Sequence, residues 1–214
     1  MLSRISSRLR NSLLIVVLCL GWFGVGILVA HPTAIANILA IAERDKIAFV
    51  FMDVWEAPPS DLWLPEQRAL YEPWWENLVR PYMQNNVVPF LQVLRDRQAI
   101  IIFSNNGLPL ATTVQQEMYF EPVISRTADL DAYLKGFDID AIAYVGFATN
   151  ACILTRPTGI QTMHALGYDI ILVKDASLEA PSLKDYIRTL EEALIEINSY
   201  GKVLTTKEVL KLIP

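Results

Sequence analysis

The sequence predicts an α/β domain whose mostly parallel, doubly wound sheet lies between two layers of helices. Short apolar runs alternate along the chain with segments of helical periodicity, as in βαβ units. The runs are continuously apolar, which is typical of strands that are buried on both faces. With 214 residues, of which 53% are hydrophobic, the chain is long enough to bury one full core. We therefore predict one globular domain over residues 40–214.

The segment before this domain, residues 1–36, is predicted to be a membrane anchor or a secretory signal. Three arginines within the first ten residues precede an uncharged apolar stretch at residues 13–30. The length of this stretch favours an uncleaved transmembrane anchor over a signal peptide. The arginines favour a cytoplasmic N-terminus, which places the domain outside the cytoplasm. The small residues AIA at 34–36 offer a cleavage site, so a secreted or periplasmic domain is the alternative.

The first half of the domain is predicted to alternate strands with a loop and a helix. The run KIAFVFMDVW is continuously apolar and ends near an acid, as expected for a buried parallel strand. The prolines and tryptophans that follow predict an irregular loop with short helical pieces. The predicted elements are a strand at 46–55, this loop at 58–86, a helix at 87–97, a strand at 98–104 and a turn at 105–109.

The second half repeats the alternation of helix and strand. Thr127 is a predicted N-cap, and Gly167 is predicted to end a later helix. The predicted elements are helices at 127–137, 158–168, 181–201 and 206–213, with strands at 140–147, 169–176 and 202–205. Ligands of such sheets bind beyond the carboxyl ends of the strands. Asp53 and Cys152 occupy that position, so they are the leading candidates for chemistry.

Cys152 is the only cysteine of the predicted domain, because Cys19 lies in the apolar N-terminal stretch. No disulfide can therefore form within the domain, and a lone thiol in an oxidising compartment indicates shielding, chemistry or both. One interpretation is a buried inert thiol, and the other is a nucleophile. A thiol in the first turn of a helix is expected to have a lowered pKa.

Residues 143–177, AYVGFATNACILTRPTGIQTMHALGYDIILVKDAS, resemble the core of the isochorismatase-like cysteine hydrolases. The pattern is a strand, G-x-A-T-x-x-C, a helix ending in G-Y and a strand ending in D-A. FVFMDVW resembles the first strand of that family, and the resemblance covers roughly residues 45–212 apart from the loop rich in proline and tryptophan. It implies a Rossmann-like sheet, a dimer or tetramer, and a catalytic Asp–Lys–Cys set. In this sequence Asp53 matches the acid and Cys152 matches the nucleophile.

The resemblance further implies a cis peptide between Ala148 and Thr149, which helps to aim backbone N–H groups as an oxyanion hole. The expected lysine is missing, because its segment reads FEPVISRTADL and offers only Arg126. Arg156 is a second candidate cation. Arginine cannot shuttle a proton, but it stabilises a thiolate or a substrate carboxylate.

Pro157 is predicted to break the helix after Cys152 and to turn Arg156 toward the pocket. The remaining candidates for contact with substrate or for stabilising the thiolate are Trp55, which ends the first predicted strand, and Asn105, which follows the second. Four tryptophans could line a pocket, pack the loop or form a subunit contact, and the sequence leaves these alternatives open. They are Trp55, Trp63, Trp74 and Trp75.

The composition and the resemblance together predict the chemistry. The net charge of −5 argues against a nucleic-acid partner. With only His31 and His164, the chain cannot form a histidine metal cluster, so we expect no metal or other cofactor and exclude zinc-dependent nicotinamidase chemistry. The resemblance implies that a member with this cysteine hydrolyses an amide, carbamoyl or related C–N bond of a small molecule through a thioester. The alternatives are a non-catalytic relative that binds a small ligand or partner, and an Asp53-dependent hydrolase in which Cys152 only packs.

Overall fold

Five parallel strands form one sheet in the order β2-β1-β3-β4-β5. They are β1 (Ile47–Met52), β2 (Ile100–Ser104), β3 (Ala141–Phe147), β4 (Asp169–Leu178) and β5 (Gly201–Leu204). The computed structural model describes residues 46–56, 65–105, 107–181 and 189–213. In this strand order the winding reverses between β1 and β3, and sheets of this kind bind ligands in a crevice at such a point, beyond the carboxyl ends of the strands. The predicted parallel α/β sheet is confirmed.

Helices cover both faces of the sheet, because side chains along each strand point alternately to opposite sides. In β1, Phe49 and Phe51 pack into one core, while Val50 and Met52 pack into the other. The helices are α1 (Pro65–Trp74), α2 (Arg80–Tyr82), α3 (Val88–Asp96), α4 (Thr112–Gln115), α5 (Thr127–Gly136), α6 (Ile160–Ala165), α7 (Leu190–Tyr200) and α8 (Thr206–Val209). Helices α3, α4 and α8 pack residues into the first core, and α5, α6 and α7 pack residues into the second. The three-layer arrangement follows from this division.

The predicted membrane or signal segment at 13–30 lies outside the described residues. Within the described ranges, no helix has both the length and the apolar character needed to cross a membrane.

The predicted irregular loop at 58–86 is wrong for the part that the structure describes, because residues 65–96 are helical throughout. Two π-helical segments, Trp75–Val79 and Met83–Val87, interrupt the α-helix and lie between Pro73, Pro81 and Pro89. Each π segment closes with a bond from an amide to the carbonyl five residues earlier. A wider turn accommodates proline, whose ring otherwise clashes with the carbonyl four residues before it.

A buried stripe explains why this helix survives its prolines. Apolar side chains recur at every fourth position along it and are all buried: Tyr71, Trp75, Val79, Met83, Val87 and Leu91. A strict period of four exceeds the 3.6 residues of an α-helical turn, and the π segments supply the additional residues. Burial of this stripe against the sheet therefore outweighs the local preference of proline for a break.

Two helix starts differ from the sequence prediction. Thr127 is the first residue of α5 and not its cap, because its hydroxyl donates a hydrogen bond to the Pro157 carbonyl at 2.6 Å. Helix α7 begins only after Thr189, whose side chain forms a capping box with Glu192. Residues 182–188, which the prediction placed in this helix, lie outside the described residues.

Gly146 allows the ends of β1 and β3 to approach each other closely. It pairs with Met52 and has a φ of +118°, in the region that favours glycine. A β-carbon at this position would clash with the Met52 carbonyl oxygen. Because Asp53 follows Met52 and the turn toward Cys152 follows Gly146, this contact brings the two candidate residues together.

We predict that Gly146→Ala lowers the free energy of unfolding by about 2 kcal/mol or more, because it combines a backbone clash with a strained φ. Urea-induced unfolding measures the change. Gly136→Ala is the matched control, since a β-carbon there meets no atom within 4 Å. This control is expected to leave the stability unchanged or to raise it by up to about 1 kcal/mol. Equal stabilities for the two variants would contradict the close approach at Gly146.

Candidate active site

Asp53 lies at the carboxyl end of β1 and is 1% exposed. Its φ of +53° is left-handed, a conformation that aspartate adopts more readily than most residues. The Asp53 N–H donates to the Ser104 carbonyl at 3.0 Å, so the end of β2 fixes this turn. The carboxyl group is therefore held at the crevice between β1 and β3.

Cys152 lies just beyond the carboxyl end of β3, in the π-helical turn Thr149–Ile153. The turn begins at Ala148, which is left-handed with φ 58° and ψ 63°. The amides of Ala151 and Ile153 both donate to the Ala148 carbonyl, at 3.0 and 3.1 Å. The chain thus reverses tightly at Ala148 and places the partly buried Cys152 just beyond the end of β3.

The cis peptide expected between Ala148 and Thr149 is not found, since every described peptide bond is trans. The left-handed conformation of Ala148 produces the reversal instead. Such a conformation costs a non-glycine residue about 1–2 kcal/mol. Strain of this kind often accompanies functional sites.

Arg156 completes the cluster. The helical turn after Cys152 ends at residue 155, and α6 starts only at Ile160, so the predicted break at Pro157 is confirmed. The Arg156 guanidinium donates from Nη2 to Asp53 Oδ2 at 3.1 Å. The Arg156 side chain is 23% exposed, so this ion pair is open to solvent on the side of the guanidinium.

Arg126, the other candidate cation, is not part of this cluster. Its side chain is 81% exposed and pairs with Asp129 at 2.6 Å at the start of α5. A partner three residues along the same helix satisfies the guanidinium locally. Of the two arginines, Arg156 is the one that contacts Asp53.

The burial and the charges of the site raise the pKa of Cys152, which favours the neutral thiol over the thiolate. Burial raises the pKa of Asp53, and the nearby Arg156, Cys152 and Trp55 side chains only partly offset this. Burial and the Asp53 charge raise the pKa of Cys152 to about 12, although Arg156 lowers it. The expected lowering of the thiol pKa is therefore wrong. Cys152 is the fourth residue of a buried π turn beside a carboxylate, and both features outweigh the helix dipole.

Aromatic side chains pack on one side of the site. Trp55 and Trp75 stack with ring centroids 6.0 Å apart, and both belong to the core beneath the long helix. Trp74 lies edge-on to Trp75 and to Tyr71. Trp55 and Trp75 are thus packed in the core, with Trp55 also beside the Asp53 carboxyl group, and Trp63 lies outside the described residues. Tyr71, which the sequence analysis missed, packs in one cluster with Ala148 and Ala180, and Cys152 lies against this cluster.

Two asparagine side chains hold the backbone segments around the site in place. The Asn105 side chain is fully buried and donates to the Leu108 carbonyl at 2.7 Å, so it fixes the turn after β2. Asn150, also missed from the sequence, binds the Ala180 backbone through both ends of its amide, at 3.0 and 2.8 Å. It thereby ties the segment after β4 to the turn that carries Cys152. In the sequence, the position of Asn150 two residues before Cys152 indicates that it belongs to the site.

Within the described ranges, no group of three histidine, cysteine, aspartate or glutamate side chains is placed to hold a metal ion. The His164 ring lies against Tyr200, with centroids 5.0 Å apart, and thus packs on α7. The chemistry available at the site is that of a thiol, a carboxyl group and a guanidinium.

We predict that iodoacetamide labels Cys152 slowly at neutral pH and faster as the pH rises above 9. Asp53→Asn should lower the thiol pKa and accelerate labelling at pH 8, because it removes a repelling charge. Arg156→Gln should raise the pKa and slow the labelling. Mass spectrometry of the Cys152 peptide measures the rates separately from those of Cys19. Rapid labelling of the unaltered protein at pH 7, slowed in Asp53→Asn, would contradict this electrostatic description.

The fold has relatives of known structure, although no protein-family profile and no curated protein matches the sequence. A cysteine hydrolase from Pseudomonas syringae pv. phaseolicola 1448A matches with a TM-score of 0.54 and 18% identity, over 78% of this chain and 92% of its own. An isochorismatase from Pseudomonas putida KT2440 matches with a TM-score of 0.53 and 15% identity, over 76% and 89%. A nicotinamidase from Staphylococcus aureus matches with a TM-score of 0.51 and 19% identity, over 74% and 99%. The chain therefore has the fold of the isochorismatase-like cysteine hydrolases, as its sequence pattern predicted.

Proposed function

We propose that this protein is a cysteine hydrolase that cleaves an amide, carbamoyl or related C–N bond of a small molecule. One observation carries the proposal: Cys152, Asp53 and Arg156 converge at the carboxyl ends of β1 and β3. These strands flank the point where the winding of the sheet reverses, which is where ligands of such sheets bind. A cysteine hydrolase and a nicotinamidase among the structures of the same fold add support.

In the proposed reaction the Asp53 carboxylate accepts the proton of the Cys152 thiol as the sulfur attacks the carbonyl carbon. Backbone amides of the turn at Thr149 and Cys152 bind the oxyanion. The protonated Asp53 then gives its proton to the leaving nitrogen, the C–N bond breaks and a thioester remains. Asp53 next accepts a proton from water, whose oxygen attacks the thioester. The acid product leaves as the proton returns to sulfur.

The raised pKa of Asp53 favours this role, because a carboxylate with a higher pKa is a stronger base toward a thiol. The raised pKa of Cys152 means that the thiolate forms during the reaction and is not stored beforehand. A neutral resting thiol is also protected from oxidation, which requires thiolate character.

A second candidate is a non-catalytic protein that uses the same crevice to bind a small ligand or partner. The neutral resting thiol and the absence of a lysine from FEPVISRTADL favour it. The Asp53-dependent reaction without a covalent step is a third candidate, since Cys152 also packs against apolar neighbours.

A panel of primary amides and carbamoyl compounds, with ammonia release as the readout, separates these candidates. We expect turnover by the unaltered protein, a loss of at least about 10³-fold in Cys152→Ser and a loss of about 10²–10⁴-fold in Asp53→Asn. Asp138→Asn is the matched control, because Asp138 shares a φ of +53° but is exposed. This variant should retain full activity.

Unchanged turnover in Cys152→Ser would reject covalent catalysis and favour the Asp53-dependent candidate. Ligand binding without turnover by any compound of the panel would favour the non-catalytic candidate. A trapped acyl-enzyme on the Cys152 peptide, seen by mass spectrometry after acid quenching, would directly support the thioester.

We also propose that the domain acts outside the cytoplasm, tethered by the apolar stretch at 13–30. The arginines before this stretch support the orientation, and its length supports retention. A reporter fused after residue 214 that is active only outside the cytoplasm should give signal in the membrane fraction. Signal in the soluble exported fraction would show cleavage, and no exported signal would contradict the proposal.

A further inference from the structure

The turn that carries Arg156 is fixed by three hydrogen bonds from separate elements. The Thr158 side chain is buried, and its hydroxyl lies 2.6 Å from the hydroxyl of Ser104 at the end of β2. The buried Tyr144 hydroxyl of β3 donates to the Thr158 carbonyl at 2.8 Å. The Thr127 hydroxyl of α5 donates to the Pro157 carbonyl at 2.6 Å. The turn is thus anchored to two strands and a helix.

The backbone fixes Arg156 on both sides. Its N–H donates to the Cys152 carbonyl at 3.1 Å, and its carbonyl accepts from the Gly159 N–H at 2.8 Å. A β-carbon on Gly159 would lie 2.6 Å from the Ile153 carbonyl oxygen, so the turn closes too tightly for another residue. The position of the guanidinium follows from this anchored turn.

We propose that Arg156 is the catalytic cation of this site. Thr158 is its positioning residue, because the hydrogen bonds of Thr158 with Ser104 and Tyr144 hold the turn that carries Arg156. The proposal rests on the hydrolase function proposed above. A guanidinium bound to Asp53 stays in place as the proton moves from sulfur to the carboxyl group, and it then faces the new thiolate. It thereby supplies the positive charge that the family resemblance assigns to a lysine from another segment of the chain.

The substitution of arginine for lysine restricts where the proton can travel. Arginine remains protonated, so it stabilises charge without exchanging a proton. The exchangeable proton is then confined to the Asp53–Cys152 pair. A buried hydroxyl pair such as Ser104 and Thr158 contributes little net stability over an apolar pair of the same shape. Its placement behind Arg156 is consistent with a role in positioning.

The test compares Arg156→Gln, Arg156→Lys, Thr158→Val and Thr158→Ser in the full chain. Arg156→Gln should lower kcat by at least about 10²-fold and shift the thiol titration upward. Arg156→Lys should recover part of kcat, because it retains the charge without the planar fork. A further variant, Arg156→Ala, should regain part of its rate when guanidinium ion is added.

Thr158→Val should lower kcat roughly tenfold and shift the thiol titration in the same direction as Arg156→Gln, because a displaced guanidinium stabilises the thiolate less. Thr158→Ser retains the hydroxyl and should resemble the unaltered protein. Thr155→Val is the matched control, since Thr155 lies on the same segment but is exposed. Thermal unfolding of each variant separates loss of positioning from loss of fold.

An unchanged thiol titration and unchanged kcat in Arg156→Gln would overturn the catalytic role. Equal effects of Thr158→Val and Thr158→Ser, or of Thr158→Val and Thr155→Val, would overturn the positioning role. The thiol titration needs no substrate. If no compound is turned over but the titration shifts in Arg156→Gln and Thr158→Val as expected, the proposed hydrolase function fails while the charge arrangement around Cys152 stands.

Discussion

The buried ion pair between Asp53 and Arg156 constrains the whole of the candidate site. A carboxylate that is 1% exposed is tolerated only when a partner offsets its desolvation. That partner is Arg156, from the turn after Cys152, so the pair ties the end of β1 to the chain beyond β3. The helix after Cys152 must therefore stop at residue 155, and the turn around Pro157 must be held from behind. The raised pKa of both Asp53 and Cys152 shows that burial still outweighs the pairing.

The long helical segment at 65–96 packs on the other side of the site. Its structure also depends on two opposing demands, from its prolines and from its buried apolar side chains. Its three internal prolines, Pro73, Pro81 and Pro89, oppose a regular helix, whereas burial of a stripe at every fourth residue requires the chain to stay helical. The two π segments reconcile these demands by widening the turn between the prolines. At the start of the stripe, Tyr71 thereby packs against the turn that carries Cys152, and Trp75 stacks on the indole of Trp55. The packing of these aromatic side chains beside the site depends on this irregular winding.

A shared fold does not by itself decide the chemistry. The same architecture is found in a cysteine hydrolase, an isochorismatase and a nicotinamidase, at 15–19% identity to this chain. Function is therefore argued from the groups present at the crevice. A thiol, a carboxyl group and a guanidinium suit acyl transfer through sulfur, with arginine providing charge but no proton. Burial and the Asp53 charge raise the pKa of Cys152 in this arrangement, so the timing of proton transfer is the central question for the proposed reaction.

The sequence by itself determined the parallel α/β fold, the positions of Asp53 and Cys152 and the break at Pro157. Each follows from local information: continuous apolar runs, polar residues at strand ends and a ring that cannot continue a helix. Only the tertiary structure decided that 65–96 is helical, that Arg156 and not Arg126 contacts Asp53, and that the thiol pKa is raised. These features depend on which groups are buried together, because desolvation and pairing act between residues far apart in the chain.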